Sequence, residues 1–495
     1  MMSNNDIDGR SAEAGKKRLV ALTGATGTMG SATVKELLRF PDRYRLRLLV
    51  RDTPRNRKKT KGWFQQGDVE IVWGDLLDKS AVRNLVKGAD VVLHIGGMVS
   101  PVADWQPEKT LKVNVGAARN IVDAILSCGQ KDSTALVYIG SVAQYGPRAV
   151  PNHWAGPGDP MNPALHDMYA VSKIEAERIV AESGIRRWVS LRQSGILSPA
   201  LLFNGNDPIA FHVPVNGVLE WATVEDSARL MEGICRENVD SRLWGGFYDI
   251  GSGKEYRLTN YQFECMLLKA LSCPPPEKVF NADWFALRNF HGIWYWSADR
   301  LQQLVPFRAN ESAGSYFDKM SRSLPFYFGL AAIVPAPLIK FGMKWVASRP
   351  VLGTLWWRKT HDPKHDSYFG PLPLPRSWEE AVAPAPVPDK SASVMFDIGY
   401  DRSRDKESLS LDDMKSVARR RGGECLEREY TPGDLHRPLK WRCGEGHEFE
   451  ATGAVVALGG HWCPECGHWP TPERLRTDPL LKEAFMSTHL SSELD

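Results

Sequence analysis

The chain has 495 residues, 43% hydrophobic and 24% charged, with 62 Lys and Arg against 59 Asp and Glu. That apolar share excludes a disordered or low-complexity protein, and a formal charge of +3 excludes a nucleic-acid argument built on overall electrostatics. The length suits roughly two to three domains of about 150 residues, and seventeen tryptophans, seven of them from Trp284 to Trp378, form a surplus to be explained.

Residues 1–16 are polar and lack the apolar core of a secretory signal, so a disordered tail and a cytoplasmic location are expected. From residue 17 to about 249, short apolar runs alternate with helical stretches. The runs fall at 18–22, 46–50, 69–73, 90–94, 135–139 and 188–192. Runs of about five leucine or β-branched residues, spaced by helices, predict parallel strands covered on both faces. The expected fold is therefore α/β, a doubly wound parallel sheet with a smaller substrate-binding region.

Thr23-Gly24-Ala25-Thr26-Gly27-Thr28-Met29-Gly30 follows the first strand and precedes a helix expected over 31–40. Gly24 would allow a tight turn, Gly27 a close approach to a pyrophosphate and Gly30 close helix packing. Free N–H groups at the helix start, including those of Thr28 and Met29, would face the phosphates. After the second strand, Arg51 suits a ribose 2′-phosphate, whereas Asp52 suits a free hydroxyl. Arg55, Arg57, Lys58 and Lys59 add positive charge or form a solvated loop, and the balance favours NADP over NAD.

These motifs continue in order. Gly74-Asp75-Leu76-Leu77-Asp78, the strand Asp90-Val-Val-Leu-His-Ile-Gly96-Gly97, the helix around Asn114, Val224-Glu-Asp226 and Tyr248-Asp-Ile-Gly-Ser-Gly253 all occur in sequence. Over residues 17 to about 310 the chain resembles the extended short-chain dehydrogenase/reductase family, with its Rossmann sheet, although glycines stand at 96 and 97 where alanines are usual. The resemblance implies that Asp75, beside Leu76, approaches the adenine. Gly96 would line the cofactor and Asn114 would act as a relay or as a structural tie.

Tyr169-Ala-Val-Ser-Lys173 places a phenol and an ammonium on one helix face. A tyrosine near pKa 10 is a poor base at neutral pH, and an adjacent ammonium favours its phenolate. Ser141, opening Ser141-Val-Ala-Gln-Tyr-Gly146 after a strand, would hold a substrate oxygen beside Tyr169. The implied chemistry is hydride transfer with Tyr169 as acid or base, and Lys173 both binds the ribose and lowers the Tyr169 pKa.

In this family the later part shapes the substrate pocket. Trp284, Phe285 and residues 290–296 suggest an apolar wall or ordinary core, and His291 reads as a structurally hydrogen-bonded histidine rather than a substrate ligand. Residues 324–339 are apolar but short and interrupted by prolines, with Lys340, Lys344, Trp345, Trp356 and Trp357 following. They suggest peripheral membrane contact through 324–357, with a homodimer interface or cap as the alternative. A lipophilic substrate, steroid-, terpenoid- or lipid-like, follows from that surface.

A Pro/Ala/Ser-rich linker is expected over 381–410, dividing a catalytic domain (17–320) and an apolar segment (321–380) from a terminal module (411–495). In the module, Cys443-Gly-Glu-Gly-His447 and Cys463-Pro-Glu-Cys466 offer two ligand pairs for one tetrahedral ion. Thiolate and imidazole ligands select Zn²⁺, and four protein ligands make it structural. His461 and His468 fit the spacing less well than His447. The module resembles treble-clef-like zinc modules, which often accompany nucleic-acid enzymes. Arg419, Arg420, Arg421 and Arg442 favour that role, while their acidic neighbours favour a folding or protein-contact unit.

The leading expectation is an NADP-dependent oxidoreductase. A nucleotide-sugar epimerase or dehydratase with tightly held NAD, and an NADP-sensing scaffold protein, stand as alternatives.

Overall fold

The six apolar runs form six strands of a seven-stranded sheet in the computed structural model, which describes residues 17–100, 102–203 and 207–493. The tail expected at 1–16 lies outside the described residues. In chain order the strands are β1 (Arg18–Thr23), β2 (Tyr44–Val50), β3 (Val69–Trp73), β4 (Val91–His94), β5 (Ala135–Ser141), β6 (Arg187–Gln193) and β7 (Gly246–Ile250). Their spatial order is β7-β6-β5-β4-β1-β2-β3, all parallel.

Burial follows position. Every residue of β4 and β5 is buried, as a central strand covered on both faces requires. The edge strand β3 is only partly covered, so it tolerates Glu70, paired in register with Arg47 of β2 at 2.7 Å. Chain order reverses between β1 and β4. A crevice forms at their carboxyl ends, where such sheets bind ligands.

Helix α1 runs Thr28–Leu37, three residues ahead of its expected position, because Gly27 serves as its N-cap. The basic run after β2 is a helix, Pro54–Thr60, rather than a loop; Thr53 caps it and proline occupies its first turn. Helix α2 (Pro107–Ser127) packs along α3 (Met168–Ala181), which carries Tyr169 and Lys173.

Residues 411–493 form a second unit. Helix α4 (Leu411–Arg420) starts with a reciprocal Ser410–Asp413 capping box. An antiparallel sheet follows, of β8 (Glu424–Cys425), β9 (Pro438–Arg442) and β10 (Glu448–Thr452). In β9, Leu439 and Trp441 point inward while Lys440 and Arg442 point out. The core of this unit is continuous with the first: Val455 and Val456 belong to the same apolar cluster as Val180, Trp188 and Phe247.

The stretch 381–410 has little regular structure, yet it is fastened to the first unit rather than free. The side chains of His153 and Trp154 donate to the Val387 carbonyl at 3.1 and 3.2 Å. Phe396 and Ile398 are buried, and Arg402 pairs with buried Asp159. Scattered apolar anchors among the prolines override the linker-like composition.

The tryptophan surplus also divides. Trp284, Trp294 and Trp357 are core residues, whereas Trp345 is 63% exposed.

Candidate active site and metal centre

At the crevice, Gly24 takes φ +74°, and a Cβ there would come 2.7 Å from Gly96 Cα. The loops after β1 and β4 therefore touch backbone to backbone, and a side chain on Gly96 would meet the Gly24 nitrogen at 2.9 Å. Asn114 Oδ1 crowds Gly97 in the same way, which explains glycine at both positions. A Cβ on Gly30 would strike the Gly24 carbonyl. The first-turn N–H groups of α1 have no intrahelical acceptor and no capping side chain, so they are open to an anion. Beneath them, buried Thr23 and His94 join at 2.9 Å; burial, with Lys173 nearby, pulls the imidazole down to about 3 and keeps it neutral.

All the expected cofactor residues line one cavity of about 1850 Å³: Gly24, Thr26, Gly27, Thr28, Met29, Gly30, Arg51, Asp75, Leu76, Gly96 and Lys173. Ser141 and Tyr169 line it too. A pocket for one small ligand spans about 300–1,000 Å³, so this volume has room for a dinucleotide and a second molecule. Around the ribose position, Arg51, Arg55 and Lys59 line the cavity, and Lys59 Nζ donates to the Thr26 carbonyl at 2.7 Å. Asp52 is not among the lining residues; Arg57 holds it in a two-point pair at 2.6 and 2.7 Å.

Tyr169 and Lys173 share a face of α3, with the ammonium 6.0 Å from the phenol ring centre. Lys173 is buried and donates to the Ile139 carbonyl at 2.8 Å. Burial pulls its ammonium down to about 8, against the attraction of Glu177. Ser141 ends β5 and caps the following turn, accepting from the Ala143 N–H at 3.2 Å.

Of the two roles open to Asn114, the contacts match the structural tie. Asn114 does not line the cavity, and its amide is consumed by the Met98 N–H and carbonyl at 2.7 and 3.0 Å and by Ser172 at 2.9 Å. It ties the loop after β4 to helix α3.

His291 departs from expectation. It lines the cavity, its Nδ1 has no hydrogen-bond partner among the described residues, and burial lowers it to about 3. Phe280 and Phe290 join that wall, whereas Trp284 and Phe285 pack with Phe211 in the core.

The far side of α3 carries a network that sequence reasoning missed. Glu177, one turn beyond Lys173, is fully buried. It accepts from Arg192 at 2.6 and 3.1 Å, Ser190 at 2.6 Å and His461 Nε2 at 2.8 Å. Burial alone would raise this carboxyl; the Arg192 charge and the hydrogen bonds overcome it and hold it far below the usual range. Arg192 also donates to the Gly459 carbonyl at 2.6 Å, and Arg178 to the Trp462 carbonyl at 2.8 Å. The terminal unit thus grips helix α3 and strand β6 through buried charges. The one trace of it in the sequence is Arg192, a charge inside the apolar run that forms β6.

Cys443, His447, Cys463 and Cys466 present four ligand atoms within 4.8 Å of one another. Their separations are 3.7 Å between Cys443 and Cys466 and 3.4 to 3.7 Å from each sulfur to His447 Nδ1. Tetrahedral zinc, with Zn–S about 2.3 Å and Zn–N about 2.0–2.1 Å, needs edges of roughly 3.8 and 3.6 Å. The cluster fits that ion. His461 and His468 face Glu177 and Glu175 instead, at 2.8 and 3.5 Å, and Cys425 lies in β8 within the core. Arg420, Arg421 and Arg442 are ion-paired with carboxylates.

Residues 20–207 match the NAD dependent epimerase/dehydratase family. Among curated proteins, the chain is 32% identical over 188 residues to 3 beta-hydroxysteroid dehydrogenase type 7 of Rattus norvegicus, covering 36% of this chain and 52% of that protein. It is 33% identical over 117 residues to a ceramide reductase of Caulobacter vibrioides, covering 23% and 32%. The chain thus spans about half the length of these relatives, or less. A solved UDP-glucose 4-epimerase of Thermus thermophilus, in complex with NAD, superposes with a TM-score of 0.48 at 18% identity, covering 62% of this chain and 100% of that one.

Proposed function

We propose that this chain, whose residues 20–207 match the NAD dependent epimerase/dehydratase family, is an NADP-dependent oxidoreductase interconverting a hydroxyl and a carbonyl on an apolar substrate. The observation that carries the reading is the convergence of Ser141, Tyr169, Lys173 and the glycine loop on one cavity whose second half is largely apolar. A nicotinamide dinucleotide, when bound, supplies or accepts the hydride. Tyr169 gives or takes the proton on the substrate oxygen, Ser141 orients that oxygen, and the Lys173 ammonium favours the phenolate. Arg51, Arg55 and Lys59 supply positive charge for a 2′-phosphate, while Asp52, engaged by Arg57, does not compete. A lipophilic substrate agrees with what the two curated relatives are named for, a steroid and a ceramide.

The test is a panel of apolar ketones, secondary alcohols and sterols, scored for NADPH oxidation or formation. Tyr169→Phe should abolish turnover and leave NADPH affinity within about twofold; unchanged activity in that variant contradicts the mechanism. The sugar epimerase/dehydratase alternative, which the matched family's name keeps in play, requires NAD that purifies with the protein and does not exchange. A scaffold that only senses NADP has no use for the Ser141, Tyr169 and Lys173 set. We assign structural zinc to the four-ligand cluster, to be checked by metal analysis of the purified protein.

The partner we assign to residues 324–357 is a lipid surface. Among the described residues no single helix is long and apolar enough to cross a membrane, but the helical segments Phe326–Ile333 and Ala336–Ala347 form a pair bent by 109°. Their outer side chains stand in solvent: Phe326 is 92% exposed, Ile333 78% and Phe341 75%. Residues 323–361 contain no Asp or Glu, but include Lys340, Lys344, Arg349, Arg358 and Lys359. This pairing of apolar and basic groups suits an anionic bilayer interface. Ile339 and Met343, on the same helix, line the cavity, giving a lipid-dissolved substrate a short way in. Vesicles of phosphatidylcholine with phosphatidylserine should carry the protein in flotation. A protein that stays monomeric without detergent and ignores those vesicles contradicts the assignment, and a stable dimer would favour a covered interface.

A further inference from the structure

Polar groups without partners interrupt the apolar half of the cavity. Glu264, on the helix Asn260–Ala270, is only 3% exposed and flanked by Phe263, Leu267 and Leu268, which also line the cavity. Among the described residues its carboxyl makes no hydrogen bond or ion pair, and Oε1 is sealed from solvent. Asn289, 5% exposed, spends its Oδ1 on the His291 N–H at 3.1 Å and leaves Nδ2 without an acceptor. The segments that carry the two residues both meet the backbone at 217–218. The Asn260 N–H donates to the Gly217 carbonyl at 2.7 Å, and a Cβ at Gly292, next to His291, would come 2.5 Å from the Val218 carbonyl.

A buried polar group without a partner is destabilising. A leucine at 264 would continue the apolar wall without that penalty. No cation lies near the carboxyl, and burial alone pushes it up to about 8, so at neutral pH it is largely the neutral acid, able to donate as well as accept. Such a group matches a neutral oxygen better than a cation or an anion.

We propose that Glu264 anchors a neutral hydroxyl or carbonyl oxygen of the apolar substrate, at a position other than the reacting carbon, with Asn289 as a second polar group lining the same cavity. The reacting oxygen is already provided for by Ser141 and Tyr169, on other elements. This inference rests on the oxidoreductase reading for its substrate class and names a second polar point on that substrate. It implies a discrimination of the strong kind, because a site built to hydrogen-bond an oxygen rejects the analogue lacking it.

The experiment compares the full-length protein with Glu264→Leu and Glu264→Gln, using a saturated steroid ketone and the same ketone bearing a hydroxyl at the opposite end of its ring system. Binding in the presence of NADP is read by tryptophan fluorescence, and turnover by NADPH oxidation. The wild type should prefer the hydroxylated ketone at least tenfold. Glu264→Leu should lose that preference, keep its NADPH affinity and melt at a higher temperature than wild type without substrate. Glu264→Gln should keep most of the preference. A wild type that binds both ketones alike, or neither, overturns the anchor; so does a leucine variant that melts lower and discriminates as before. Discrimination in binding without any NADPH oxidation would leave the anchor standing and remove the oxidoreductase reading.

Discussion

Residues 411–493 and residues 324–351 both lie beyond the sheet, and they treat their side chains in opposite ways. The terminal unit sends His461 and the Gly459 carbonyl inward, into a buried network around Glu177 and Arg192. The apolar segment turns Phe326, Ile333 and Phe341 outward. Polar groups sealed in protein and apolar groups left in water are each unfavourable unless something satisfies them. In the first case the partner is helix α3. In the second, the partner proposed above is a lipid surface. One attachment is therefore part of the scaffold, and the other leaves an apolar face exposed.

Breaking the metal cluster should have the largest effect. Zinc binding free energies in small zinc peptides are about 10–16 kcal/mol at neutral pH, so Cys443→Ser with Cys463→Ser should unfold the terminal unit. Because that unit grips α3, turnover should fall with it, and limited proteolysis should cut within 411–493 first. Full activity after the unit is cleaved would mean that the grip has no catalytic consequence.

Next in size is Arg192→Met, which leaves the Glu177 carboxylate buried without its cation. Removing one member of a buried pair costs about 3–5 kcal/mol, so urea unfolding should shift by that order. Adding Glu177→Gln should recover part of the loss, a coupling that unrelated sites would not show.

Acid should act on the buried side as well. Burial lowers His94 and His291 to about 3 and His212 to about 4, so between pH 6.5 and 4 the unfolded chain binds protons that the folded chain refuses. Stability then falls as pH falls. Glu177, held low in the fold, adds a loss of the same sign below about pH 4.5. Glu264 and Asp249, raised by burial to about 8 and about 7, act in the opposite sense above about pH 4.5. Melting temperatures should therefore decline more steeply from pH 7 to 4.5 in Glu264→Leu than in wild type; identical profiles contradict this burial.

Phe326→Ser with Phe341→Ser should change stability least, within about 0.5 kcal/mol, since exposed side chains outside special features contribute little. The same pair should lose vesicle binding. A large loss of stability would place these rings inside an assembly instead.

The parallel sheet was legible because both-face burial writes continuous apolar runs, and the glycine loop because close backbone approach admits no side chain at 24 or 30. The four cluster ligands were legible from spacing alone. Asn114 was ambiguous because a tie and a relay use the same amide, and only its partners separate them. Glu177, His461 and Glu264 could not be read from the chain. The first two meet across 284 residues, and a charged residue on a helix ordinarily faces solvent. The docked course of 381–410 was hidden by its proline-rich composition, which states stiffness but not contact.

The central claim is hydride exchange at a carbon that Tyr169 serves with a proton. Its most direct test is transfer of deuterium from NADPH labelled at the nicotinamide C4 to an apolar ketone, analysed by mass spectrometry of the product alcohol. Wild type should place one deuterium on the carbinol carbon and Tyr169→Phe none, at equal NADPH occupancy. Deuterium delivered equally by both proteins would contradict the claim, as would a bound NAD that never exchanges with the added cofactor.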